Sequence, residues 1–169
     1  MISATSTADR LRPFAGASYA LAALLVVLPL LDYTQNVGAP QLGNVQWRFA
    51  SVGLLSSYLV TPLLGASLAV GTAAVLEHRT ARRILGYGCM ALAILLVLLL
   101  LGFVLDVIQL RHGVPVEGRR GFDAATARAG LKHFLGAVVA FSFGQAAIKG
   151  ERGERRPRSE QGAIPLVNR

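Results

Sequence analysis

Few residues in this chain could carry out chemistry, and those few do not form a catalytic pattern. Two carboxylates and two histidines are the best candidates, because such groups transfer protons and bind metals. They are Asp32, Asp106, His112 and His133. All four are expected near one membrane interface, where the two histidines could approach each other. An enzyme acting at that interface is one hypothesis, although ordinary interfacial histidines explain the same pattern.

Other reactive residues lack the partners that a reaction needs. The sequence contains no G-x-S-x-G elbow, P-loop, H-E-x-x-H, C-x-x-C or dinucleotide fingerprint. Ser56 and Ser57 have no base nearby in the sequence. The single cysteine, Cys89, is interpreted as a small apolar residue within a helix. We therefore predict a non-enzymatic protein with no catalytic residue, no metal site and no cofactor.

The composition indicates that lipid surrounds much of the chain. Of the 169 residues, 53% are hydrophobic and only 15% are charged, whereas soluble domains carry about 25% charged residues. This balance excludes an intrinsically disordered chain, a disulfide scaffold and a collagen-like fibre. The isoelectric point is 10.8. Membrane topology and a basic tail explain this excess of positive charge, so we predict no nucleic-acid partner.

Four windows are long and apolar enough to cross a bilayer as helices, which takes about 20 residues each. They cover residues 14–31, 51–76, 84–105 and 131–148. The fourth is the weakest, because Lys132 and Lys149 must extend their ammonium groups into the two interfaces. Backbone groups in lipid must pair within their own segment. The prediction is an all-α integral membrane protein, a four-transmembrane-helix bundle.

The positions of Lys and Arg predict that both termini lie in the cytoplasm (N-in/C-in). The side with both termini and the 77–83 loop holds 11 of these residues, and the other side holds 6. The 111–130 loop runs against this bias, because it carries four arginines on the outer side. A signal peptide is the alternative for the first window, but its apolar run is long and a retained anchor is favoured. The predicted location is a bacterial-type inner membrane.

The chain divides into a membrane domain, residues 1–149, and a basic tail, residues 150–169. The tail mixes charges with glycine and two prolines, which predicts disorder and attraction to anionic lipid, with a cytoplasmic partner as the alternative. Before the fourth span, Asp123 is a candidate N-cap for a helix over 124–131. That helix is expected either as a separate interfacial turn or as part of a continuous fourth helix.

Small residues recur every four positions in the second span, and the fourth span has the same spacing. Such residues let helix backbones approach closely in lipid. Pro62 should kink the second span, because it lacks a backbone donor and clashes with the Tyr58 carbonyl. The predicted helix-packing residues are Gly53, Ser57, Gly65, Ala69, Gly136, Ala140 and Gly144.

Charged residues are expected at the interfaces and none at membrane depth. Asp32 and Asp106 should lie at the outer interface, where they could pair with Arg48 or Arg111 as exposed ion pairs of modest energy. A proton-coupled transporter usually needs an ionisable residue at membrane depth. The expected absence of such a residue argues against that class, but it leaves a passive route for a neutral solute open.

The sequence also resembles small four-span HpsJ-like proteins of bacterial exopolysaccharide biogenesis. The resemblance rests on a proline-containing outer loop, Trp47 before the second span, Pro62-Leu63-Leu64-Gly65 within it, and Leu131-Lys132 at the start of the last span. It implies an accessory role in the cell envelope and no identified catalytic residues.

Two further functional hypotheses follow from these features. The leading one is an accessory or structural subunit of a larger membrane assembly, which packs through its small-residue helix faces against other subunits or a second copy. The alternative is a small transporter or channel for a neutral or lipidic solute, in which Pro62 serves as a hinge. The lipid bilayer is the expected surrounding in both cases.

Overall fold

The computed structural model describes the backbone of residues 12–154 and the side chains of residues 12–149, and this part of the chain contains helices and no strand. The all-helical prediction is confirmed. Predictions for the N-terminus and for most of the basic tail fall on residues 1–11 and 155–169, which lie outside the described residues. The α-helices are α1 (Ala15–Val37), α2 (Val45–Tyr58), α3 (Val60–Val75), α4 (Arg79–Arg111) and α5 (Arg119–Glu154).

Three helical segments of the described chain are long and apolar enough to cross a membrane, namely Arg12–Val37, Arg79–Arg111 and Val116–Lys149. Helices α2 and α3 meet the same criterion together, but they are bent by 49°. The number of candidate crossings is therefore three, or four if the bent pair crosses once. This architecture agrees with the class of helical membrane proteins.

The helices extend further than the charge-free windows predicted. The first helix ends at Val37 instead of residue 31, and α4 covers Arg79–Arg111 instead of 84–105. A charge-free window marks the residues whose side chains are apolar enough for the hydrocarbon core. A helix can continue beyond that window, because it needs only backbone hydrogen bonds between residues four apart. The predicted N-cap at Asp123 was wrong. Helix α5 is continuous from Arg119, and Asp123 pairs with Arg111 at 3.0 Å.

The bend between α2 and α3 lies at Leu59, three residues before Pro62. Proline has no backbone N–H, so Pro62 cannot donate a helical hydrogen bond to the Tyr58 carbonyl. Regular bonding resumes immediately, because the Leu63 N–H donates to the Leu59 carbonyl at 3.3 Å. A local interruption of one hydrogen bond therefore coincides with the change of direction.

The helices pack mainly as two pairs, α4 with α5 and α1 with α3. Helix α2 packs on α4, α5 and α1, and α3 also contacts α4 and α5, so these contacts join the two pairs. The buried apolar interior is small. One cluster contains Leu59, Leu96 and Ala137, and the other contains Val70, Cys89 and Ala147. Helix α1 lies at the periphery, since Ala22 is its only buried residue.

Glycines allow the closest helix contacts. A Cβ atom added at Gly65 would lie 2.7 Å from the Ala22 carbonyl oxygen in α1. One added at Gly144 would lie 3.0 Å from the Gly86 carbonyl oxygen in α4, and one added at Gly136 would lie 2.7 Å from Leu59 Cδ2. Any side chain at Gly65 or Gly144 would therefore push two helix backbones apart.

We expect Gly65→Ala to lower the stability of the bundle. Its methyl group meets the α1 backbone, and overpacking of this kind typically costs about 1–3 kcal/mol. Gly71→Ala in the same helix is the matched control, because a Cβ at Gly71 meets nothing within 4 Å. Alanine also favours the helix at both positions.

Thermal unfolding of both variants in one detergent, followed by helical circular dichroism, measures the difference. Gly65→Ala should unfold at a lower temperature than Gly71→Ala. Equal midpoints for the two variants would contradict the close contact between α1 and α3.

Candidate functional site

The seven predicted packing residues fall into two groups. Gly65, Gly136 and Gly144 contact neighbouring helices, and Ala69 and Ala140 are buried at 8% and 2% exposure. The α2 residues differ: a Cβ at Gly53 meets nothing within 4 Å, and Ser57 is exposed. The described chain thus leaves one small-residue face of α2 uncovered. Sequence reasoning missed Gly86, which opposes Gly144 across α4 and α5.

A bidentate ion pair joins α2 to the end of α4 that lies beside it. Arg48 Nη2 donates to Asp106 Oδ1 at 2.7 Å, and Arg48 Nε donates to Oδ2 at 3.2 Å. Arg48 Nη1 also donates to the Leu42 carbonyl at 2.7 Å. The Asn44 side chain caps α2 by accepting from the Gln46 and Trp47 N–H groups. This cap starts the helix one turn before Arg48 and so positions the guanidinium.

The pairing of Asp106 with Arg48 is confirmed, but the expected exposure of the pair was wrong. The Asp106 side chain is 7% exposed and that of Arg48 is 35% exposed. Helices α2 and α4 pack together here, and this contact shields most of the Asp106 side chain from solvent. Carboxylates are seldom buried without a partner, so the guanidinium compensates a group that would otherwise be costly to bury.

Aromatic rings form a continuous stack beside the ion pair. The Phe49 ring stacks on Phe122 and on Phe103, with centroids 5.3 and 5.2 Å apart, and Phe103 stacks on His133 at 6.3 Å. The ring of Phe49 therefore bridges α4 and α5. Sequence analysis missed this stack, because its rings come from three helices and share no local spacing.

His133 is also buried among the helices of the bundle. The residue is 0% exposed. Its Nδ1 lies 2.9 Å from the Ala129 carbonyl oxygen, and because a carbonyl oxygen can only accept a hydrogen bond, Nδ1 is the donor. Its Nε2 is buried without a hydrogen-bond partner among the described residues. The sequence could not show that this position faces Phe103 of α4.

The four candidate residues of the enzyme hypothesis do not converge. Asp32 and His112 are exposed, whereas Asp106 and His133 are buried at 5% and 0% exposure. The described part of the chain brings together no group of three or more His, Cys, Asp or Glu residues that could hold a metal ion. Of these four residues, Asp106 belongs to a buried ion pair and His133 is a buried imidazole.

A cleft of about 480 Å³ lies against the ion pair, between α2 and α4, with Tyr33 of α1 at its edge. Most of its wall is apolar and comes from Leu, Val and Phe side chains. Its polar lining consists of Tyr33, Trp47, Arg48, Ser51, Asp106 and Gln109. A concave, mainly apolar surface with a few convergent polar groups is the usual form of a small-molecule site.

One hydrogen bond of its ring and one of its backbone carbonyl position Trp47 at this cleft. Its indole Nε1 donates to the Val37 carbonyl at 3.2 Å, and the Ser51 hydroxyl donates to the Trp47 carbonyl at 2.6 Å. The cleft is thus lined by a hydrogen-bonded aromatic ring beside an ion pair. We take this cleft, defined by Trp47, Arg48 and Asp106, as the candidate functional site, and we call it the outer cleft after the side on which the sequence predicts it.

Comparisons with protein-family models, with curated proteins and with solved structures found no match. The resemblance to HpsJ-like proteins therefore remains a hypothesis that rests on the sequence motifs alone.

The buried ion pair should be coupled more strongly than an exposed one. A double-mutant cycle with Arg48→Gln and Asp106→Asn measures the interaction free energy between the two side chains. The matched control is the cycle of Arg111→Gln with Asp123→Asn, a pair whose side chains are 60% and 44% exposed. Exposed pairs contribute about 0–1 kcal/mol, and the Arg48–Asp106 coupling should exceed the control. Equal coupling in the two cycles would contradict the burial of Asp106.

Proposed function

We propose that the protein is a non-enzymatic, four-span accessory or structural subunit of a larger bacterial-type membrane assembly. The observation that carries this proposal is the filled interior of the bundle. Leu59, Leu96 and Ala137 pack together at its centre, whereas the cleft and the small-residue face of α2 lie at its surface. This arrangement leaves the cleft and the small-residue face of α2 as surfaces of the described chain at which a partner can bind.

The path of the chain supports four crossings. Helix α2 begins beside Asp106, near the end of α4, and α3 leads through residues 76–78 to the start of α4. The bent pair therefore runs beside α4 from the neighbourhood of Asp106 to the start of α4. With 14 and 16 residues, the two helices extend about 38 Å along α3 despite the bend, enough for a hydrocarbon core of about 30 Å.

The proposed orientation places both termini in the cytoplasm, and the outer cleft on the opposite face of a bacterial-type inner membrane. It follows from the excess of Lys and Arg on the side of the termini. The lipid bilayer surrounds the bundle, and the positively charged tail attracts anionic headgroups. Nucleic acid is not a proposed partner.

The proposed contact with another subunit, or with a second copy, is the uncovered α2 face. Gly53 and Ser57 are one helical turn apart, and neither is enclosed by the described chain. Small residues at this interval allow close approach of a second helix. Bulky side chains there should block a partner without disturbing the contacts within the chain.

We expect Gly53→Leu with Ser57→Leu to dissociate the assembly. The native complex is extracted from membranes into polymer nanodiscs, and its mass is compared with the 17.9 kDa of one chain. The unmodified protein should form a complex of defined stoichiometry, and the double variant should be recovered as a single chain. Gly71→Leu on α3 is the control, because its position is also open, and it should leave the complex intact.

A single chain in nanodiscs for the unmodified protein would contradict the subunit proposal. Retention of the complex in the double variant would instead exclude the α2 face as the contact. Circular dichroism of each variant establishes that the helices are still formed.

The transporter hypothesis is the second candidate, and the 49° bend beside Pro62 favours it. It requires a water-accessible path between the second and fourth spans. Cysteines introduced at Ser57, Thr61 and Ser142 in a Cys89→Ala background, treated with a water-soluble maleimide, test for that path. Labelling at successive positions would support transport, and protection at all three would contradict it.

A further inference from the structure

The outer cleft combines one polar end with a hydrocarbon-like wall. Arg48 and Asp106 form the polar end, and the apolar wall includes Leu98, Leu99 and Leu105. Leu98 and Leu105 are 60% and 61% exposed, so this wall continues onto the outer surface of α4. In a bilayer that surface faces acyl chains. The geometry therefore suits an amphiphile whose tail lies along α4 and whose head reaches the ion pair.

The ion pair retains hydrogen-bonding capacity toward such a head. A guanidinium has five N–H donors, and the bonds of Arg48 to Asp106 and to the Leu42 carbonyl use three of them. Each Asp106 oxygen accepts one of these bonds and has a further lone pair. The pair thus presents donors and acceptors side by side.

The charges of Arg48 and Asp106 indicate which class of lipid headgroup the cleft would bind. Because Asp106 compensates Arg48 at 2.7 Å, the site carries no net charge, and an anionic or cationic head is attracted only weakly. Adjacent hydroxyl groups suit the site better, since each hydroxyl both donates and accepts. Carboxylate and guanidinium can then each bind one hydroxyl of a diol, while the rings of Tyr33 and Trp47 cover its carbon skeleton.

We infer that the outer cleft binds a neutral amphiphile whose headgroup carries a vicinal diol, supplied by glycerol or by a sugar. This inference goes beyond the proposed function, because lipid binding at the cleft does not depend on a partner at the α2 face. Arg48 and Asp106 bind the diol, and Leu98 and Leu105 contact the hydrocarbon tail.

Trp47 provides a direct probe, because it is the only tryptophan in the chain and lines the cleft. The full-length protein is placed in phosphatidylcholine nanodiscs. A monoacylglycerol with a brominated acyl chain is then added, and quenching of Trp47 fluorescence measures its occupancy. Brominated phosphatidylcholine and brominated phosphatidic acid at the same mole fraction serve as the zwitterionic and anionic comparisons.

Monoacylglycerol should quench at about one tenth of the concentration that phosphatidylcholine requires, as expected for two additional hydrogen bonds. Unbrominated monoacylglycerol and an alkyl glucoside are then used as competitors. Displacement by the first assigns a glycerol head, and displacement by the second assigns a sugar. Displacement by both supports the common diol chemistry.

The double variant Arg48→Gln with Asp106→Asn removes both charges together and should abolish the tenfold preference. The double variant Arg111→Gln with Asp123→Asn removes an ion pair outside the cleft and should retain it. Equal quenching by all brominated lipids in the unmodified protein would overturn the inference. Strongest quenching by phosphatidic acid would also overturn it, and would indicate an anion site. The comparison among lipids uses the unmodified chain, so it holds even if a variant fails to fold.

Discussion

Close approach of helix backbones at glycine is the constraint on which the rest of the bundle depends. Gly65 brings α3 against the α1 backbone, and Gly144 brings α5 against the α4 backbone. In a bilayer, which these helices are long and apolar enough to cross, lipid supplies little hydrophobic force between helices, so van der Waals attraction at such close contacts holds helix pairs together. Larger residues there would separate the helices and move every side chain that bridges them.

The outer cleft follows from this packing. Helix α2 contacts both α4 and α5, and Phe49 stacks between Phe103 and Phe122. The same contact covers Asp106, so that its carboxylate needs the Arg48 guanidinium. A buried pair is weak support for stability in itself. In this protein the ion pair places the hydrogen-bond donors of Arg48 and the acceptors of Asp106 side by side, next to the apolar wall of the cleft.

The sequence predicted the helical class well, because long charge-free windows have few other interpretations. It predicted less about the site, because burial depends on which helix faces meet. Asp106 and His133 both lie near the ends of predicted spans, and both were expected at the interface. Contacts of Asp106 with α2 and of His133 with Phe103 shield them from solvent. Gly86 was missed because its partner, Gly144, belongs to a different helix.

Labelling from the two sides of the membrane tests the four-span arrangement most directly. Single cysteines replace the exposed residues Gln35, Thr80 and Glu117 in a Cys89→Ala background, and an impermeant maleimide is applied to intact cells and to inverted vesicles. With four crossings, positions 35 and 117 should be labelled from outside and position 80 from the cytoplasmic side. Labelling of positions 35 and 80 from the same side would contradict the crossing of α2 and α3.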